Sequence, residues 1–216
     1  MEGVDVELIK PRLRGVFHLW AFYAAVVAGI VLVALAEGLR ERFASWVYAV
    51  ALAAMFGCSA LYHRVDWRTP ARRAWARRLD HAAIFVFIAG TYTPFALLAF
   101  EGALPAITLV AIWSGAALGL ALNLAWIDGP RWLAAVAYLT VGWVGVIAAP
   151  QLFQKVGLAS ALLVLVGGAL YSVGAAVYAF RWPDPLPGTF GFHEIFHLLV
   201  VAAAVAQFVA VSLVVL

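Results

Sequence analysis

The chain has 216 residues, of which 66% are hydrophobic and 12% charged, with a formal net charge of +3 and a mean hydropathy of +1.00. Soluble domains are about half apolar and about a quarter charged, so this composition is too poor in polar residues to clothe a water-facing globule and describes a membrane protein. The single cysteine, Cys58, excludes an intramolecular disulfide, and basic residues clustered in this way fit the cytoplasmic face of a membrane protein and not a nucleic-acid site.

The N-terminal stretch MEGVDVELIKPRLRG is polar and mixed in charge, without the apolar core and small-residue cleavage site of a signal peptide. It predicts a short cytoplasmic segment, residues 1–15, followed by a first membrane helix that acts as an uncleaved signal. Crossing about 30 Å of hydrocarbon takes about 20 apolar helical residues. Such windows fall at 16–37, 43–63, 80–100, 104–124, 131–150, 157–180 and 192–214, separated by GLRER, RVDWRTPARRAWARR, FEGALP, WIDGPR, QLFQKVG and RWPDPLPGTFG. Trp46, Trp67, Trp75, Trp126, Trp132 and Trp182 gather near the breaks, as an interfacial belt does. The sequence thus predicts an all-α integral membrane protein whose one domain, residues 16–216, is a seven-transmembrane-helix bundle. Eleven of the 14 Lys and Arg fall on the side of the N-terminus, from Lys10, Arg12 and Arg14 through the arginines of 64–78 to Arg131 and Arg181. By the positive-inside rule this puts the N-terminus in the cytoplasm and the C-terminus outside. The arginines of 64–78 read as topology determinants touching anionic headgroups, on a short interfacial helix. Gly115-x-x-x-Gly119 and Gly168-x-x-x-Ser172 read as close helix packing, and leave a homodimer through the same faces open.

Ionisable groups inside spans are costly and call for a reason. Span 2 ends in Cys58-Ser59-Ala60-Leu61-Tyr62-His63, with Ser59 and His63 on one face and Ser59 about 6 Å deeper. Span 3 opens with Leu79-Asp80-His81, and span 7 with His193-Glu194-Ile195-Phe196-His197. Three helices therefore bring such groups to the same cytoplasmic end. His63, His193 and His197 supply three neutral nitrogens and leave a fourth position open, the pattern of a catalytic zinc site. Asp80 is placed to take a proton, and Ser59 to hydrogen-bond a ligand or a developing oxyanion. Blander readings exist for each: histidines satisfied by loop carbonyls, Asp80 as the N-cap of span 3, Ser59 bonded back to its own helix. His18 and His81 read as ordinary polar residues at that end, and Cys58 as packing. His193-x-x-x-His197 around Glu194 also matches the H-E-x-x-H of zinc proteases, with Asp128 in WIDGPR as a third ligand. That reading leaves His63 and Asp80 unexplained, and an aspartate in a Gly-Pro turn is ordinary turn chemistry.

The stretches SALYHR (59–64), LDHAAIFVFIAGTYTPF (79–95) and GFHEIFHLLVVAAA (191–204) resemble the bacterial hemolysin III proteins, within the progestin and adipoQ receptor family. The resemblance runs from about residue 15 onward. It implies seven spans and a zinc ion on His63, His193 and His197. It further implies that Asp80 acts through metal-bound water with Ser59 nearby, and that the chemistry is amide cleavage of a ceramide-like lipid in a bacterial plasma membrane. Membrane lipids are then the partners, one of them a substrate. Two other functions stay open: a non-catalytic regulator of membrane fluidity with structural zinc, and a haemolytic, pore-forming activity. No span carries the continuous polar stripe of an aqueous pore.

Overall fold

A computed structural model describes residues 11–126, 128–186 and 188–216. Residues 1–10, Lys10 among them, lie outside the described residues, and so does most of the predicted N-terminal segment. The described chain is helical: α1 (Val16–Leu35), α2 (Leu39–Arg64), α3 (Pro70–Leu98), α4 (Leu104–Ala125), α5 (Arg131–Gly142), a 3-10 stretch (Trp143–Ala148), α6 (Ala149–Lys155), α7 (Gly157–Phe180) and α8 (Phe192–Val215). No strand forms among the described residues; Leu186 and Phe190 make one isolated bridge. Among the described residues six helices, α1 to α4, α7 and α8, are long and apolar enough to cross a membrane. α1 to α4 pack in sequence, α7 packs on α8, α5 contacts both α4 and α7, and α8 returns against α1, α2 and α3, which closes the bundle. Leucines, valines and tryptophans on the outer faces are exposed, as a lipid-facing surface requires.

Two expectations change. The third span was predicted from residue 80, but α3 starts at Pro70 with Thr69 as its cap, whose Oγ1 accepts from the Arg72 N–H at 3.4 Å. The Arg- and Ala-rich stretch after Pro70 is no separate interfacial helix. It is the first turns of α3, because Ala and Arg are strong helix formers whatever their hydropathy. Asp80 is consequently three turns inside a helix and is not its N-cap.

The predicted span 131–150 is also not one continuous helix. After α5 the chain tightens into the 3-10 stretch, at VGWVGVIAAP, where Gly142, Gly145 and Pro150 oppose an α-helix. The Tyr92 hydroxyl of α3 enters the break, donating to the Gly142 carbonyl and accepting from the Gly145 N–H at 3.2 Å. Backbone groups freed at membrane depth must find partners inside the protein, and Tyr92 serves both sides of this break.

The small residues named from the sequence do pack helices closely. A Cβ on Gly119 of α4 would run into the Phe85 ring of α3, and one on Gly115 would touch Val141 of α5. Trp143 Nε1 donates to Ser172 Oγ at 3.1 Å, and Ser172 in turn bonds to the Gly168 carbonyl. These faces are used inside the chain. Gly119→Val should therefore lower stability by about 1–3 kcal/mol through overpacking, seen as a lower melting temperature in detergent. An unchanged melting temperature would mean that Phe85 swings aside without cost.

Candidate metal centre

At the end of the bundle where α1 begins, α2 finishes and α8 starts. His63 sits in the last turn of α2, and His193 and His197 sit one turn apart at the start of α8. The three rings converge with centroids 4.8 Å (His63–His193), 5.1 Å (His63–His197) and 4.5 Å (His193–His197) apart. One ring nitrogen of each lies within 4.8 Å of the other two, and His63 Nε2 is 3.2 Å from His193 Nε2. His63 and His197 are buried and His193 partly so.

Three imidazoles gathered within 4.8 Å are a donor set that a metal ion such as zinc accepts. Neutral imidazoles crowded together repel through their lone pairs unless a proton or cation sits between them. Nitrogens at 2.0–2.1 Å around a tetrahedral ion stand about 3.3–3.4 Å apart, close to the separation of His63 and His193.

Asp80, on α3, faces this cluster: its Oδ2 is 3.7 Å from His63 Nε2 and 3.5 Å from His81 Nδ1. His81 does not point away from Asp80, as a simple helical wheel implies. Its ring turns back so that Nδ1 lies 3.0 Å from the Arg77 carbonyl and also near the carboxylate. Ser59 is buried one turn deeper than His63 and borders the same cavity. That cavity, about 200 Å³, runs from the histidines and Asp80 inward between α3, α5, α7 and α8. Its inner walls are apolar, with Phe87, Ile88, Leu139, Val164 and Val200 among them.

Glu194, inside H-E-x-x-H, faces away from the cluster and is 1% exposed. Its Oε1 accepts from Arg14 Nε at 2.6 Å and its Oε2 from the Gly191 N–H at 2.9 Å, so it closes the first turn of α8 against the chain entering α1. Asp128 is exposed and paired with Arg77 at 2.8 Å, and it is not among the residues whose ligand atoms gather with the imidazoles. Neither acid stands where a protease would need it. The segment before α1 crosses this end as a strap: Arg12 and Leu13 donate to the carbonyls of Gly188 and Thr189, and Arg64 reaches the Arg14 carbonyl. Gly15 has φ +76°, and a Cβ there would fall 2.5 Å from the His63 Cβ.

His18 is the residue the sequence reading undervalued. It is no ordinary interfacial residue but is buried against His197. The signal was available, since His18 lies within the first turn of α1 at the depth that singled out the other groups.

The sequence profile described as "Haemolysin-III related" matches residues 6–208. The chain belongs to the haemolysin-III family. "Hemolysin-3 homolog" of Bacillus subtilis is 32% identical over 165 residues, 76% of this chain and 74% of its own length. The human "Monocyte to macrophage differentiation factor" is 26% identical over 197 residues, 90% of this chain and 79% of its own. "ADIPOR-like receptor IZH2" of Saccharomyces cerevisiae is 47% identical over 49 residues, 20% of this chain. The resemblance carried by the Ser59–Arg64, Leu79–Phe95 and Gly191–Ala204 motifs therefore holds, and this haemolysin-III-type chain is a multi-pass membrane protein.

Removing Arg14 leaves the Glu194 carboxylate buried without its cation, which costs about 3–5 kcal/mol. Arg14→Ala should lower the melting temperature in detergent sharply, and the double variant with Glu194→Gln should regain much of the loss. Equal melting of Arg14→Ala and wild type would mean that the pair does not hold α8 to the strap.

Proposed function

We propose that this haemolysin-III-family protein is a zinc-dependent hydrolase of a membrane lipid, cleaving an acyl amide of the ceramide type. The observation that carries the reading is the meeting of three imidazole nitrogens within 4.8 Å of one another at the head of a largely apolar cavity whose wall includes Asp80 and Ser59. Zinc held by His63, His193 and His197 would supply a coordinated water with a pKa near 7 and polarise the scissile carbonyl. The apolar walls take the acyl chain and leave the amide at the histidines. Asp80 Oδ2 accepts the proton of the attacking water and passes it to the leaving nitrogen, so that a fatty acid and an amine depart. Ser59 Oγ donates a hydrogen bond to the carbonyl oxygen as charge develops there.

The site belongs, on this reading, to the cytoplasmic leaflet of a bacterial plasma membrane, with the N-terminus inside and seven crossings. The Lys and Arg bias supports the orientation. The seventh crossing is supported by the two ends of the broken segment. Asp128, just before α5, pairs with Arg77 near the start of α3, whereas Lys155, at the end of α6, pairs at 2.7 Å with Glu101 just beyond the other end of α3. The segment from 128 to 155 therefore runs the length of α3, broken helix included.

Zinc content and turnover separate the roles. Protein purified in mild detergent should carry about one zinc per chain, and His63→Ala, His193→Ala or His197→Ala should lose both the metal and hydrolysis of a short-chain ceramide. Asp80→Asn should keep the zinc yet lose about 10²–10⁴ in kcat, as removal of a general base does. Zinc-replete wild type inert on a broad panel of amide and ester lipids would sink the hydrolase reading. If chelation then melts the bundle, the metal is a structural staple between α2 and α8.

A further inference from the structure

His18 has no task in that scheme, yet its surroundings are unusual. It is 3% exposed, and its ring lies flat on His197 with centroids 3.8 Å apart and planes 5° from parallel, while Phe56 meets it edge-on at 5.0 Å. Stacking on His197 needs only an aromatic face, which a phenyl group would provide without burying polar atoms. The two ring nitrogens are the part that stacking leaves unexplained. Neither makes a hydrogen bond of sound geometry; a backbone group of His197 stands close enough to serve one of them weakly, which leaves the other without a partner. Buried polar groups are nearly always paired, because losing water without replacement is costly. His18 also borders the same cavity as Ser59, Asp80 and His193, so its ring lies beside the space that a molecule in that cavity would fill.

A neutral imidazole offers one N–H donor and one acceptor nitrogen. A hydrocarbon tail satisfies neither and an ester only the donor, whereas an amide or amino-alcohol headgroup offers both partners. We propose that His18 is a ligand-binding residue that hydrogen-bonds the polar headgroup of a lipid amide lodged at the three-histidine site. This assignment rests on the lipid reading above and adds to it a selectivity for amide over ester headgroups that the three histidines do not provide.

The test is binding, read apart from turnover. Wild type, His18→Phe, His18→Gln and His18→Leu would be purified in mild detergent, with zinc per chain and melting temperature measured for each. Each would be titrated, zinc-loaded and after chelation, with a fluorescent short-chain ceramide and with a methyl ester bearing the same fluorescent acyl chain. His18→Phe keeps the stack and loses the nitrogens. It should bind the ceramide about tenfold more weakly, the loss of one hydrogen bond, with ester affinity and zinc content unchanged. His18→Gln restores a donor and an acceptor and should recover part of the ceramide affinity, while His18→Leu should not. If His18→Phe does not fold, the Gln and Leu pair still decides the matter. Equal ceramide binding by wild type and Phe, equal binding by Gln and Leu, or a wild type that binds ceramide no better than ester would overturn the assignment. Wild type that holds no zinc but keeps a His18-dependent preference for ceramide would remove the metal reading and leave this one standing.

Discussion

Polar groups at membrane depth have no water to fall back on, and the whole structure is arranged around where it tolerates them. Four helices bring imidazoles or a carboxylate to one end of the bundle: His18 on α1, His63 on α2, Asp80 and His81 on α3, His193 and His197 on α8. Packing of α8 against α1, α2 and α3 is what makes this meeting possible. Away from that end the helices contribute mostly alanine, valine and phenylalanine, and those residues form the core. The division into a polar head and an apolar body gives one cavity imidazoles and a carboxylate at its mouth and a hydrocarbon environment below.

The placing of the histidines depends on residues outside their cluster. Glu194 reaches back to the Gly191 N–H and across to Arg14, which fixes the first turn of α8 and hence the direction of the two imidazoles on either side of it. Gly15 lets the strap pass tightly over His63, because its left-handed backbone and missing Cβ fit a gap that any side chain would fill. The H-E-x-x-H letters thus support two jobs on alternate faces of one helix: imidazoles toward the cavity, and a buried ion pair toward the incoming chain.

Much of this was legible in the sequence because the signals are local. Apolar windows gave the six long helices. The i, i+4 spacing gave the shared faces of Ser59 with His63 and of His193 with His197, and common depth gave their convergence with Asp80. The misses share a physical cause, since each depends on a partner distant along the chain or on a propensity that hydropathy ignores. The ten residues of α3 before Asp80 carry four arginines yet are strongly helical, so an apolar window could not find them. The break after Gly142 is stabilised by Tyr92, 50 residues earlier, and Glu194 is held by Arg14, 180 residues away. For His18 the depth in α1 was legible, but the stacking on His197 that makes it unusual leaves no trace in local spacing.

The broken helix sets the mechanical character of the cavity. Tyr92, Gly142, Trp143 and Gly145 border it, so part of one wall is 3-10 backbone secured by the Tyr92 phenol and the Trp143–Ser172 hydrogen bond instead of an interlocked α-helix. Hydrogen bonds in 3-10 geometry are poorer than those of an α-helix, and two glycines add backbone freedom without side-chain packing. Breathing of the bundle concentrates where the fewest interactions must be given up. Here that is the seam between α3 and the 3-10 stretch, with the ion pairs Arg77–Asp128 and Lys155–Glu101 pinning its two ends. The cavity therefore has its least interlocked wall at mid-depth, between two rims that each carry an ion pair.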